Sequence, residues 1–183
     1  KPLYPFTITQ GFGQNLSPLY KELGLWGHNG LDCIRGYKGG KYYETDGANV
    51  RAAHAGEVTY AGADSKEGYG VVIRTIEQFQ DFNGKPEYWK SIYWHLKKEI
   101  QVKVGQKVRA GDIIGFADNT GYSSGSHLHF GLKPIAQGEN EWVWDNVLQK
   151  NGYNGAVDPL PYLENLSAYE AQTQLQKILD AIW

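Results

Sequence analysis

The chain has 183 residues, with 20 acidic against 18 basic side chains and a formal charge of −2. That balance gives no basic footprint for nucleic acid and no strong pull toward anionic lipid or teichoic acid. A single Cys forbids an intrachain disulfide, and this length buries the core of one modest domain without staples.

Because the sequence contains no Met, Lys1 is not expected to be an initiator, and a signal peptide, anchor or further domain is expected upstream. No apolar run approaches the roughly 20 residues that span a bilayer, so no membrane insertion is expected of this segment, which is read as a soluble monomer.

In chain order, the first segment that carries chemistry is Gly27-His28-Asn29-Gly30-Leu31-Asp32. His28 and Asp32 would align on a helix, but Gly27 and Gly30 argue against one, and a loop is predicted. Cys33 reads as a small buried hydrophobe. Strands are predicted at Val50 to Ala53, Gly56 to Ala61, Gly70 to Thr75, Tyr88 to His95, Ile113 to Ala117 and His127 to Leu132. They are short, rich in β-branched and aromatic residues, and separated by Gly, Asp, Asn and Lys, which favours an antiparallel all-β architecture. His54 is expected on a surface turn. Asn83-Gly84 signals a hairpin between Arg74 and Tyr88.

In Ser126-His127-Leu128-His129-Phe130 the period of two puts His127 and His129 on one strand face and Leu128 and Phe130 on the other. Two histidines and one carboxylate would give Zn²⁺ three protein ligands and leave a fourth position for water, as in catalytic rather than structural sites. A polar strand face satisfied by hydrogen bonds is the competing reading of H-x-H, and a loop cap is the competing reading of Asp32. Further on, a short helix is predicted around Trp142 to Gln149. From Ser167, the apolar residues Ala168, Ala171, Leu175, Ile178, Leu179 and Ile182 recur at helical spacing behind a Ser167/Glu170 capping box.

Three segments in order, His28-Asn29-Gly30-Leu31-Asp32, Tyr93-Trp94-His95-Leu96, and Thr120-Gly121-Tyr122-Ser123-Ser124-Gly125-Ser126-His127-Leu128-His129-Phe130, together make the chain resemble the lysostaphin-like zinc metallopeptidases. These are endopeptidases that cut the peptide part of bacterial peptidoglycan. The likeness runs roughly from Pro5 to Leu163 and includes Val104-Gly105-Gln106-Lys107-Val108, Gly111-Asp112-Ile113-Ile114-Gly115 and Asp158-Pro159. It departs at Gly131, where an acidic residue commonly follows, and at Ser124, which replaces a frequent Thr.

The resemblance implies His28, Asp32 and His129 as ligands of one Zn²⁺ per chain. It implies His95 and His127 as the histidines that act on the water and on the charge building at the scissile carbonyl oxygen. It also implies a mainly β fold, an open sandwich of antiparallel sheets of the duplicated hybrid motif type with a metal-bearing groove, over residues 1–163. Residues 164–183 are then a C-terminal α-helix packed on that domain, and the location is extracytoplasmic: secreted, periplasmic, wall-associated or virion-borne. The loops Ile34 to Ala48 and Ile76 to Glu87 are candidate groove walls, and Tyr42, Tyr43, Phe82 and Tyr122 candidate contacts to the peptidoglycan peptide. The bond cut, glycyl-glycine or D-alanyl to a diamino acid, stays open.

Two other functions compete. A non-catalytic wall-binding module or hydrolase activator could use the same scaffold, but all three ligand positions are kept. A non-haem iron oxygenase uses two His and a carboxylate, but its H-x-D/E spacing is missing. No G-x-S-x-G elbow offers a nucleophile.

Overall fold

The computed structural model describes residues 1–80, 85–138, 144–148 and 150–163. Its backbone is a nine-stranded antiparallel sheet whose main path runs β1 (Thr7–Gln10), β2 (Leu31–Ile34), β12 (Leu128–Gln137), β9 (Pro86–Leu96), β7 (Gly68–Arg74), β6 (Gly56–Asp64) and β10 (Lys107–Val108). Two further strands hang off this path: β13 (Trp144–Asn146) on β12 and β8 (Phe79–Gln80) on β9. Two small ribbons complete it, β3 (Gly36–Lys38) with β4 (Lys41–Tyr43), and β5 (Asn49–Arg51) with β11 (Ile113–Phe116). A short helix, α1 (Leu19–Glu22), follows β1, and residues 160–163 are helical at the end of the described segment.

The sandwich arises because one sheet face is apolar at every second position. Val58, Val71, Ile73, Tyr93, Leu128 and Phe130 from the large sheet form a single buried cluster with Val50, Ala52, Ile114 and Ala117 of the β5–β11 ribbon and its flanks. Each fully buried aliphatic or aromatic side chain contributes roughly 1.5–3 kcal/mol of transfer free energy. The Tyr93 hydroxyl, buried in this layer, accepts hydrogen bonds from the Ala53 amide at 2.8 Å and the Ser91 hydroxyl at 3.0 Å, so its polar tip is satisfied. The opposite sheet face is only half buried at Tyr60, Val72, Ile92 and Trp94.

One irregularity matters for everything that follows. Between the pairs Tyr69↔Leu96 and Val71↔Tyr93, β9 carries one more residue than β7, and His95 adopts a positive φ of 62°. This bulge breaks the alternation. Tyr93 and Leu96 enter the core, while Trp94 and His95 leave by the other face. Gly70 makes room, because a Cβ there would lie 1.9 Å from Trp94 Cε3.

Two expectations change. Trp144–Asn146 is a strand and not part of a helix, since the long β12 continues to Gln137 and offers its free edge to these residues. Asp32 lies on strand β2 rather than in a loop, because it is the direct cross-strand partner of His129. The Asn83-Gly84 turn and the helix from Ser167 fall outside the described residues, although β8 and β9 do pair on either side of that turn.

Candidate metal centre

The open face of the sheet meets the loop before β2 at a cluster of four histidines and one carboxylate. His28 is placed by backbone: its amide donates to Gln14 O at 2.9 Å, its carbonyl accepts from Gly13 N at 2.8 Å, and Trp26 N donates to Gly152 O at 2.9 Å. Gly27 is required there, because a Cβ would sit 2.5 Å from Gly13 O. Gly30 has the same logic at the site itself, where a Cβ would lie 2.8 Å from His129 Nε2 and Cε1.

His28 Nε2, Asp32 Oδ1 and His129 Nδ1 form a nearly equilateral triangle, with edges of 3.0, 3.1 and 3.1 Å. A tetrahedral zinc with bonds near 2.0–2.1 Å has ligand–ligand edges of roughly 3.3 Å. Two nitrogens and one oxygen at that spacing fit a borderline-soft dication with an open fourth position, and among the described residues these three form the one group of metal-ligating atoms. The outer nitrogen of His28 is fixed as well: Nδ1 faces Gly11 O at 3.2 Å, which leaves Nε2 as the ligating atom.

His127 and His95 flank the triangle. His127 Nε2 lies 3.5 Å from Asp32 Oδ1, while its Nδ1 faces Gly125 O at 2.8 Å and Ser123 Oγ at 3.1 Å. His95 Nδ1 donates to Thr120 O at 2.7 Å, and its ring centre is 4.5 Å from that of His127. Thr120 is itself held by its hydroxyl, which donates to Leu96 O at 2.7 Å and accepts from Tyr69 N at 3.2 Å. Both rings therefore carry their proton on Nδ1 and keep Nε2 as the basic nitrogen.

Electrostatics separates these groups. Burial opposes ionisation of Asp32, yet hydrogen bonds from His127, His129 and His28 hold its carboxyl well below the usual carboxylate range. Burial, with the charge of His127 second, brings the His95 imidazole down to about 4. For His127 burial is the largest influence and favours the neutral ring, but the hydrogen bond to Asp32, its charge and the bond to Gly125 O together exceed it, and the net shift is upward. A dication beside Asp32 would weaken that pull.

Not every candidate residue comes to the cluster. Tyr42 and Tyr43 stand on the β3–β4 hairpin, where Tyr42 packs on Tyr37 at 5.1 Å and Tyr43 lies under Arg35 and Lys41. Tyr122 is exposed on the loop that carries Ser123 and Gly125, its amide donating to Lys66 O at 2.7 Å. Phe82 lies outside the described residues. Cys33 is fully buried in the core and burial pushes its thiol up, so it is no nucleophile.

The sequence alone does not point to Tyr20, whose ring is 6.0 Å from that of His28 and whose hydroxyl accepts from Gln10 Nε2 at 2.7 Å. Nor does it point to the carbonyls of Gly11, Thr120 and Gly125 as anchors. Of these, Thr120 and Gly125 carry a signal, as parts of the Thr120-to-Phe130 motif, and Gly11 carries none.

His54 lies on the bend between β5 and β6, as expected, but its ring is half buried. Its Nδ1 donates to Ala55 O at 2.9 Å, its Nε2 is buried without a hydrogen-bond partner among the described residues, and burial lowers its pKa. The unfolded chain then binds a proton near the ordinary His pKa of about 6.5 that the folded chain refuses, so this residue stabilises above that pH and the effect is lost on acidification. His54→Gln should show a shallower fall in denaturation midpoint between neutral and mildly acidic pH than the parent chain. Parallel curves would show that His54 does not titrate with folding.

Comparison with known proteins places this geometry. Residues 35–141 match the profile of Peptidase family M23, a span that contains His95, His127 and His129 and begins after His28 and Asp32. The glycyl-glycine endopeptidase ALE-1 of Staphylococcus capitis is 34% identical over 135 residues, covering 71% of this chain and 31% of that protein. The DD-carboxypeptidase/endopeptidase Mpg of Neisseria meningitidis serogroup B is 32% identical over 130 residues, covering 71% of this chain and 25% of that protein. This chain thus spans no more than about a third of these relatives. Among solved structures, the catalytic domain of the antimicrobial peptidase lysostaphin from Staphylococcus simulans superposes with a TM-score of 0.58 at 25% identity, over 87% of this chain and 92% of that one.

Proposed function

Since the chain belongs to peptidase family M23, we propose that it is a zinc metalloendopeptidase that hydrolyses peptide bonds of bacterial peptidoglycan, in the cross-bridge or the stem peptide. The observation that carries this reading is the convergence of three metal-ligating atoms, mutually 3.0–3.1 Å apart, with two further imidazoles turned toward the same carboxylate or ring cluster. Residues 1–163 are the catalytic unit in this reading, acting as a monomer outside the cytoplasm. Among the described residues no helix is long and apolar enough to cross a membrane.

His28, Asp32 and His129 would hold the zinc, which when bound supplies Lewis acidity and brings the pKa of a water to about 7. His127, the more basic of the remaining pair, takes a proton at Nε2, with its Nδ1–H anchored on Gly125 O. His127 returns that proton to the amide nitrogen as the C–N bond breaks. His95, kept neutral by burial and held by Thr120 O, lies against the His127 ring as the second imidazole, the one that acts on the charge building at the scissile carbonyl oxygen. Asp32 orients His127 as well as completing the ligand set. No covalent intermediate is needed.

The test is mass spectrometry of fragments released from cross-linked and uncross-linked muropeptides. Cleavage should vanish on chelation and return with about one equivalent of Zn²⁺. Tight binding without cleavage in the zinc-loaded chain would favour the activator reading, and oxygen consumption with iron would favour an oxygenase.

A further inference from the structure

On the face of the large sheet that carries His129, four charged residues lie in one row across four strands. The register pairs Glu57 with Arg74, Arg74 with Lys90, and Lys90 with Lys133. Directly paired residues share a face and bring their Cβ atoms within about 5.5 Å. Glu57 is bonded to Arg74 at 3.1 Å, which leaves the two lysines as neighbouring like charges.

Lys133 is 6% exposed, a rare condition for an ammonium. No carboxylate lies within ion-pairing distance of Lys90 or Lys133 among the described residues. Burial, with the charge of Lys90 second, brings the Lys133 ammonium down to about 8, and burial lowers that of Lys90 too. Like charges directly opposite on a sheet, one of them buried, destabilise the fold. An anion lying between them would remove both costs.

Along β12, His129, Gly131 and Lys133 share one face, and the four-residue step along the strand puts the lysine about 13 Å from the metal ligand. Between them the floor is Gly131, Ile92 and Trp94, which offers an extended peptide an apolar bed without charge.

We propose that Lys90 and Lys133 form a carboxylate-binding subsite that recognises an acidic group of the substrate peptide three to four residues from the bond cut. The inference rests on the proposed peptidase function and names a specificity determinant within it. A carboxylate accepts charge-assisted hydrogen bonds from both ammonium groups, whereas the matching carboxamide leaves them unneutralised. Discrimination is therefore expected in KM more than in kcat, since the contact is remote from the reacting atoms.

The experiment compares kcat/KM of the zinc-loaded chain on pairs of cross-linked peptides that differ only in one carboxylate or carboxamide at that distance from the cut. The parent should prefer the carboxylate by roughly tenfold or more, through KM. Lys133→Met, which is one atom shorter and removes the charge, should bring the ratio near one. Lys90→Gln, at a half-buried position, should narrow it independently and serves if the first variant folds poorly. Equal cleavage of both peptides by the parent, or a preference that survives both substitutions, overturns the subsite alone. Cleavage of neither peptide overturns the proposed hydrolysis and the subsite with it.

Discussion

His127→Ala is expected to retain about one zinc per chain and to lose roughly 10²–10⁴-fold in turnover, the usual worth of a positioned acid or base. The expectation follows from where the ring reaches. Its Nε2 is 3.5 Å from Asp32 Oδ1 and it takes no part in the 3.0–3.1 Å triangle, so removing it leaves the three ligating atoms in place. His95→Ala should behave in the same way, because its ring is 6.2 Å from that of His129 and is tied to Thr120 O, not to a ligand. Zinc content by elemental analysis and steady-state cleavage of a cross-linked muropeptide separate the outcomes. Near-normal turnover without His127 would sink the assignment of the base.

Asp32→Ala should lose both metal and activity, and more of the latter than His127→Ala. One carboxylate oxygen sits within 3.1 Å of two ligand nitrogens and within 3.5 Å of the His127 ring, so its removal takes a ligand and an orienting partner together. What remains is two imidazoles, too few for a stable zinc site with a defined geometry. His129→Ala should match it in zinc loss while leaving His127 its contact to Asp32. Stoichiometric zinc in purified Asp32→Ala would move the site elsewhere.

Much of this arrangement is legible in the order of the residues. The period-two spacing of His127 and His129 places both on one face, and in the fold both rings do reach the same Asp32 oxygen. The six strands expected from β-branched and aromatic runs all appear, with ends that differ by a few residues.

The parts that are not legible have specific physical causes. Alternation from Tyr93 would send His95 into the core, and only a bulge with a positive φ at His95 turns it to the metal face. Nothing local in Tyr93-Trp94-His95-Leu96 announces the extra residue, because the signal lies partly in Gly70 on another strand. The glycines around His28 and Asp32 suggest a loop for both, yet long-range pairing with β12 makes Asp32 extended. Trp144–Asn146 is helix by spacing and strand by partner, tertiary pairing overriding a weak local preference. Where Tyr42 and Tyr43 sit is also not legible: they stand on the β3–β4 hairpin, Tyr42 against Tyr37 and Tyr43 against Arg35.

The central claim is that one zinc is held by His28, Asp32 and His129 and by no other histidine. Anomalous diffraction at the zinc edge from crystals of the metal-loaded chain tests it most directly. The account predicts a single peak about 2.0–2.2 Å from His28 Nε2, Asp32 Oδ1 and His129 Nδ1. A peak coordinated by His95 or His127, or one that leaves Asp32 unbound, would contradict it.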